Sequence, residues 1–254
     1  MKNRCVFVCV TIMVAALLFA ADTARAQSAP ASASKESPFT IDAGIGLDFG
    51  LNGNVNSGAI GRLQGLSTAI LPQSYGEVYG TGINLRFGGG YALNELSELR
   101  GVFTFQSADA NLVRLGDIGP SSLYAQYSDY KSFGLDLGYR RYVPLTVKNL
   151  RVYGEAMIGA AFVDSISSEF AAPQANAVFE STDFYDQSAA FTWSLNVGAL
   201  FKVAEHMDIN GQLGFRHVGG LAEIDQLVGT GLDTINDDSA RLTFPIVVGV
   251  RFRF

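Results

Sequence analysis

The chain has 254 residues, a formal charge of −6, 48% hydrophobic and only 17% charged residues, and 28 glycines. A chain so apolar and so sparsely charged is not disordered, and its acidity argues against nucleic acid as a partner. Glycine at this frequency with only 7 prolines and no tripeptide period excludes collagen and points to turns or closely packed β-structure.

At the N-terminus, Lys2 and Arg4 precede an apolar run from Cys5 to Ala21, and Ala24-Arg25-Ala26 supplies a small-x-small pattern before Gln27. This is the form of an export signal cleaved after Ala26, and the run is short for an uncleaved membrane anchor. Cys5 and Cys9 both fall inside it, so the exported chain is expected to carry no thiol, disulfide or cysteine metal site. Removing Lys2, Arg4, Asp22 and Arg25 takes the formal charge from −6 to −8. Residues 27–38 are small, polar and Pro-containing, which predicts a flexible leader.

From Phe39 onward the apolar period is two. The first predicted strand (39–51) sets Ile41, Ile45, Leu47 and Phe49 against Asp42, Gly44, Gly46 and Asp48. The second (79–91) sets Tyr79, Ile83, Leu85 and Phe87 against Asn84, Arg86 and Gly88. The third sets Leu99, Phe103 and Phe105 against Arg100, Thr104 and Gln106, and the fourth Phe133, Leu135, Leu137 and Tyr139 against Ser132, Asp136 and Arg140. The fifth is noisier, with Ala156, Ile158 and Phe162 opposite Arg151, Tyr153 and Glu155, while Met157 and Val163 take the polar parity. The sixth pairs Phe191, Trp193 and Leu195 with Thr192, Ser194 and Asn196, the seventh Ile209, Leu213 and Phe215 with Asp208, Gln212 and Arg216. The last runs Leu242 to Phe254 on one parity, with Arg241, Thr243, Gly249 and Arg251 on the other. Each segment has about the length that a tilted strand needs to cross a bilayer.

The connections alternate in length: short near Asn94, at 144–149 and at 204–206, long at 52–76, 108–124, 164–187 and 218–239. Short turns at one end and long loops at the other are the rhythm of an all-β, eight-stranded antiparallel up-and-down transmembrane barrel over residues 39–254. The polar face is built of Gly, Ser, Thr, Asn and Asp with scattered Arg, where a water-facing surface would be dense in Lys and Glu. Such a face fits a narrow lumen that side chains fill. Ion pairs are therefore expected there between Asp42, Asp48, Asp136 and Glu155 and Arg86, Arg100, Arg140, Arg151, Arg216 and Arg251. Tyr91, Tyr139, Phe201 and Phe254 toward the turns, and Tyr79, Trp193 and Phe215 toward the loops, are read as aromatic girdles.

The final segment resembles the C-terminal signal read by the bacterial barrel-assembly machinery, with Gly249, Phe252 and Phe254 matching and Val247 standing where that pattern prefers a polar residue. With the export signal and eight strands, the chain resembles the small bacterial outer-membrane β-barrels: the OmpA transmembrane domain, OmpX, OmpW and opacity-type proteins. That resemblance implies an outer-membrane location, contact with lipid and lipopolysaccharide, assembly by the barrel machinery, and no appended peptidoglycan-binding domain. A monomer is expected, with a ligand at the extracellular loops as one use for them.

Signals for chemistry are sparse. His217, in Phe215-Arg216-His217-Val218-Gly219-Gly220, sits in a context similar to the His-x-Ser-Asn motif of lipid A deacylases, but glycines replace the Ser and Asn. Without a hydroxyl at that spacing there is no nucleophile for the imidazole to activate. Residues 233–238 lack calcium-loop spacing, and the unopposed acids Asp164, Glu169, Asp183, Asp186, Glu223 and Asp233 read as solvated loops, with cation bridging to lipopolysaccharide as the sharper alternative. No catalytic, cofactor or metal residues are assigned. The reading is a structural or surface-interaction barrel with a polar plug; a narrow channel for small or apolar solutes and a lipid A-modifying enzyme are the alternatives.

Overall fold

The computed structural model describes residues 37–63, 65–175, 177–224, 229–236 and 239–254. The predicted export signal, the leader as far as residue 36, and Asp225, Asp237 and Asp238 of the acidic loops lie outside the described residues. In chain order the elements are β1 (Phe39–Asn52), β2 (Asn54–Asn56), β3 (Ala59–Leu63), β4 (Leu66–Ile70), β5 (Gln73–Ser74) and the short helix α1 (Tyr75–Tyr79). Then come β6 (Thr81–Asn94), β7 (Ser97–Ala108), β8 (Leu112–Ile118), β9 (Ser121–Tyr127), β10 (Tyr130–Val143) and β11 (Leu150–Val163). The chain continues through β12 (Ile166–Ala172), β13 (Ala177–Tyr185), β14 (Ser188–Ala204), β15 (Met207–Val218) and β16 (Arg241–Arg253).

Eight of these strands close an antiparallel barrel in the order β1-β16-β15-β14-β11-β10-β7-β6. Closure joins the first strand to the last, with Asp42 opposite Arg251, Gly44 opposite Gly249 and Leu47 opposite Ile246. The expected parity sets the faces. Ile45, Phe87, Leu135, Leu137 and Ile158 point outward and are 57–65% exposed, whereas Asp42, Asp136, Arg140 and Glu155 are buried inside. Closure leaves the barrel with no unpaired edge, the condition for crossing hydrocarbon. No helix among the described residues is long and apolar enough to cross a membrane. At the C-terminus, Phe252 and Phe254 face outward, while a side chain at Gly249 would run into the backbone of Ala43 and Gly44 on the closing strand. Val247 is buried inside the wall.

Two expectations need correction. The long connections are not loops in the main: β13-β12-β9-β8-β4-β3 form a second, six-stranded sheet, and β2 pairs with β5. The period of two persists there, with Val113, Leu115, Leu123, Ala125, Tyr127, Ile166 and Phe170 turned to one buried side. Together with Val55, Val78, Phe184, Leu232 and Ile235 they make a hydrophobic core above the barrel mouth, to which all four long connections contribute. This head rests on dispersion and apolar burial rather than on solvated loops. The other correction is Tyr79, which is no girdle residue: it lies in α1, 5% exposed, stacked with Tyr75 and edge-on to Tyr130 in the head core.

Helix α1 forms because Ser74 and Glu77 cap it reciprocally. The Ser74 hydroxyl accepts from the Glu77 amide at 3.3 Å and the Glu77 carboxylate accepts from the Ser74 amide at 2.8 Å. Tyrosine hydroxyls stitch the connections together: Tyr185 donates to the Val55 carbonyl (2.6 Å), Tyr127 to the Asn56 side chain (2.9 Å) and Tyr75 to the Ser239 carbonyl (3.0 Å).

Candidate functional site

The barrel interior holds two polar clusters. Toward the short turns, Glu98 is 1% exposed and accepts from Arg251 at 2.8 Å, from the Tyr142 hydroxyl at 2.6 Å and from the Thr40 hydroxyl at 2.9 Å. Arg100 binds Asp42 and stands 3.5 Å from Glu98 and 3.6 Å from Glu155. Arg140, fully buried, donates twice to Glu155, at 2.7 and 2.9 Å, and lies 3.8 Å over the Tyr153 ring. Gln212 donates to the same carboxylate at 3.2 Å. Each of these arginines is set against a carboxylate, which offsets the desolvation of both charges.

Toward the head, Asp136 accepts from Arg216 at 2.9 Å and from the Thr192 hydroxyl at 2.6 Å. Gln106 donates to Asp48 and accepts from Arg241 at 2.8 Å. The Arg241 guanidinium sits 3.8 Å over the Tyr130 ring, beneath the tyrosines of the head. A cavity of about 20 Å³ remains between the clusters, lined by Arg86, Arg100, Asp42, Glu155 and Gln212 among others. It has room for one water-sized species. Two candidates differ from the rest in their partners. The Arg86 Nε has no hydrogen-bond partner among the described residues, and Arg151 stacks 3.8 Å over Tyr142 and donates to the Glu95 carbonyl at the turn end.

The parity that selects Arg100 also selects Glu98, two residues earlier, whose place beside a turn hid it among the acids of the strand end. Arg241, Gln106, Tyr142 and Tyr153 are inward too, and nothing in spacing alone says that two tyrosines become the hydroxyl and ring partners of buried arginines.

On the outer wall, His217 stacks flat on Trp193 with ring centroids 5.5 Å apart and planes 9° apart. Among the described residues no group of His, Cys, Asp and Glu is arranged to hold a metal ion.

The sequence matches a family model described as the outer membrane protein beta-barrel domain, over residues 12–253. The chain belongs to this family. Membership gives the barrel its location, the outer membrane of a Gram-negative envelope, and with it the meaning of its outward apolar face. Among solved structures the chain is similar to Neisserial surface protein A, at 11% identity and TM-score 0.43, covering 87% of this chain and 100% of that one. It is also similar to OprG from Pseudomonas aeruginosa, at 12% identity and TM-score 0.47, covering 86% and 97%. A third similar structure is the outer membrane protease OmpT from Escherichia coli, at 9% identity and TM-score 0.42, covering 88% and 99%. No curated protein matches the sequence.

Proposed function

We propose that the chain is a non-catalytic outer-membrane barrel with a sealed lumen, whose task is to hold a folded head at the cell surface in a structural or interaction role. The observation that carries this reading is the stacking of two closures on one axis. Ion-paired arginines occupy the lumen, and the core shared by all four long connections covers its mouth. A conducting pore would need those charges hydrated and apart; here they are buried and bonded to one another. A surface scaffold gains from the same arrangement, because the plug and the head core stiffen the platform. His217, set on the outer wall against Trp193, has no place in a nucleophile–base pair on this reading.

The test is recording from the purified full chain in planar bilayers. The sealed lumen predicts no stable conductance steps, while steps of reproducible size in the wild-type protein would favour the solute conduit and overturn the reading. Mass spectrometry of lipid A from cells with and without the protein supplies the second arm. An unchanged acyl pattern agrees with a non-catalytic role, and a changed one contradicts it.

A further inference from the structure

The outer wall carries a feature that a sealed scaffold does not require. At the rim, where the β9–β10 hairpin meets the links from β11 to β12 and from β13 to β14, a cleft of about 620 Å³ opens, lined by Ser128, Asp129, Lys131, Asp164, Ser165 and Gln187 beside Tyr127. Its volume falls within the roughly 300–1,000 Å³ of ligand pockets. Two of its walls are tied together, since the Asp164 amide donates to the Lys131 carbonyl at 3.0 Å. Asp129, Lys131, Asp164, Ser165 and Gln187 are exposed.

Lys131 has the outward parity of Phe133 and Leu135, so the cleft opens onto the lipid-facing wall. Immediately toward the membrane, the rings of Phe103, Phe133 and Phe162 stack side by side, with centroids 6.2 and 4.8 Å apart and planes within 25° and 17°. Beyond this shelf a second depression, of about 720 Å³, is floored by Ala156 and walled by Leu137, Tyr139, Ile158, Trp193 and Leu195. The register explains the trough: Ala156 lies between Tyr139 and Leu195, and Ala160 between Leu135 and Phe191, so small residues on β11 are flanked by large ones on both neighbours. A polar cleft, a flat aromatic shelf and an apolar trough therefore follow one another down a single face of the barrel.

We propose that this face binds one outer-leaflet glycolipid with a phosphorylated sugar headgroup. Charge complementarity selects the occupant. Lys131 meets a phosphate as a point charge, while Asp129 and Asp164 accept from sugar hydroxyls and Ser128, Ser165 and Gln187 complete a set of hydrogen-bonding partners. The cleft is larger than a phosphoethanolamine group fills, whereas sugar rings occupy it, and the acyl chains lie across the phenylalanine shelf into the trough.

The test uses the folded full chain in detergent, stripped of lipid and offered either lipid A alone or phosphatidylethanolamine alone, with native mass spectrometry as readout. A one-to-one lipid A adduct is expected, its affinity lowered about tenfold by Lys131→Glu through loss of a charge-assisted contact and by Ala156→Phe through filling of the trough. Lys131→Gln, which removes the charge without reversing it, serves if the glutamate variant does not fold. Equal adduct formation with phosphatidylethanolamine, or lipid A binding that none of the variants weakens, would overturn the proposal.

Discussion

Arg251 on the last strand and Glu98 on β7, 153 positions apart in sequence, meet inside the barrel at 2.8 Å. They are not neighbours in the hydrogen-bonded ladder, because β16 pairs with β1 and β15 while β7 pairs with β6 and β10. The bond therefore spans the lumen, and the Tyr142 hydroxyl closes a triangle by donating to Glu98 while accepting from Arg251. The seam of the barrel is held from within as well as along its edges.

Removing one member of that triangle leaves a buried charge without its counterion. Glu98→Ala should destabilise the folded barrel by about 3–5 kcal/mol, whereas the double substitution Glu98→Met with Arg251→Met should cost far less, since neither charge is then stranded. Urea unfolding in lipid vesicles, followed by the mobility shift of folded against heated protein, distinguishes the two. A double variant as weak as Glu98→Ala would contradict the account.

Neighbouring positions on β10 should respond to substitution through opposite environments. Leu135→Arg places a charge on the hydrocarbon-facing wall and should cost about 2–4 kcal/mol if the site is near mid-bilayer. Asp136→Asn should act instead through Arg216 and Thr192, so a second change at Arg216 should make it no worse. Equal tolerance of Leu135→Arg and Leu135→Ala in the same vesicle assay would show the faces to be reversed.

Period-two alternation made the barrel readable from the chain, because a strand with lipid on one side and a packed lumen on the other must alternate at nearly every position. The head was harder to read for a physical reason. Its strands are short, its exposed side mixes Leu112, Arg114, Tyr124 and Gln126, and Gly116, at φ 154°, interrupts the pairing of β8 with β9. The lumen was legible as charge on one parity but not as partners. Which carboxylate meets which guanidinium depends on barrel closure, and Arg100 stands within reach of three acids from different strands.

Within the head, Leu115 and Leu123 are essentially inaccessible. Leu123→Ala should cost the head about 2–5 kcal/mol through lost contacts and a cavity. Limited proteolysis of whole cells should then cut within β8–β9 while the barrel keeps its mobility shift. Unchanged protease resistance would mean that the connections do not share a core.

A pH-dependent contribution is expected from the cap of α1. Hydrogen bonds from the Ser74 amide and hydroxyl hold the Glu77 carboxyl below the usual carboxylate range. A carboxylate whose folded pKa is depressed stabilises the fold above its unfolded pKa of about 4.3 and loses that contribution as pH falls through the folded value. Glu77→Gln should therefore lower the melting temperature of the head at neutral pH and leave it unchanged once the solution is acid enough to protonate the wild-type carboxyl. A difference that stays constant across this range would assign the effect to something other than the charge of Glu77.

The central claim, that the apolar side of the closed sheet faces hydrocarbon, is most directly tested by the fluorescence of Trp193, the chain's single tryptophan, which lies on the outer wall among Leu137, Ile158 and Leu195. In vesicles of lipids brominated along their acyl chains, the folded protein should lose most of its emission, while aqueous iodide should leave it nearly untouched. Quenching by iodide with no response to brominated chains would place Trp193 in water and contradict the account.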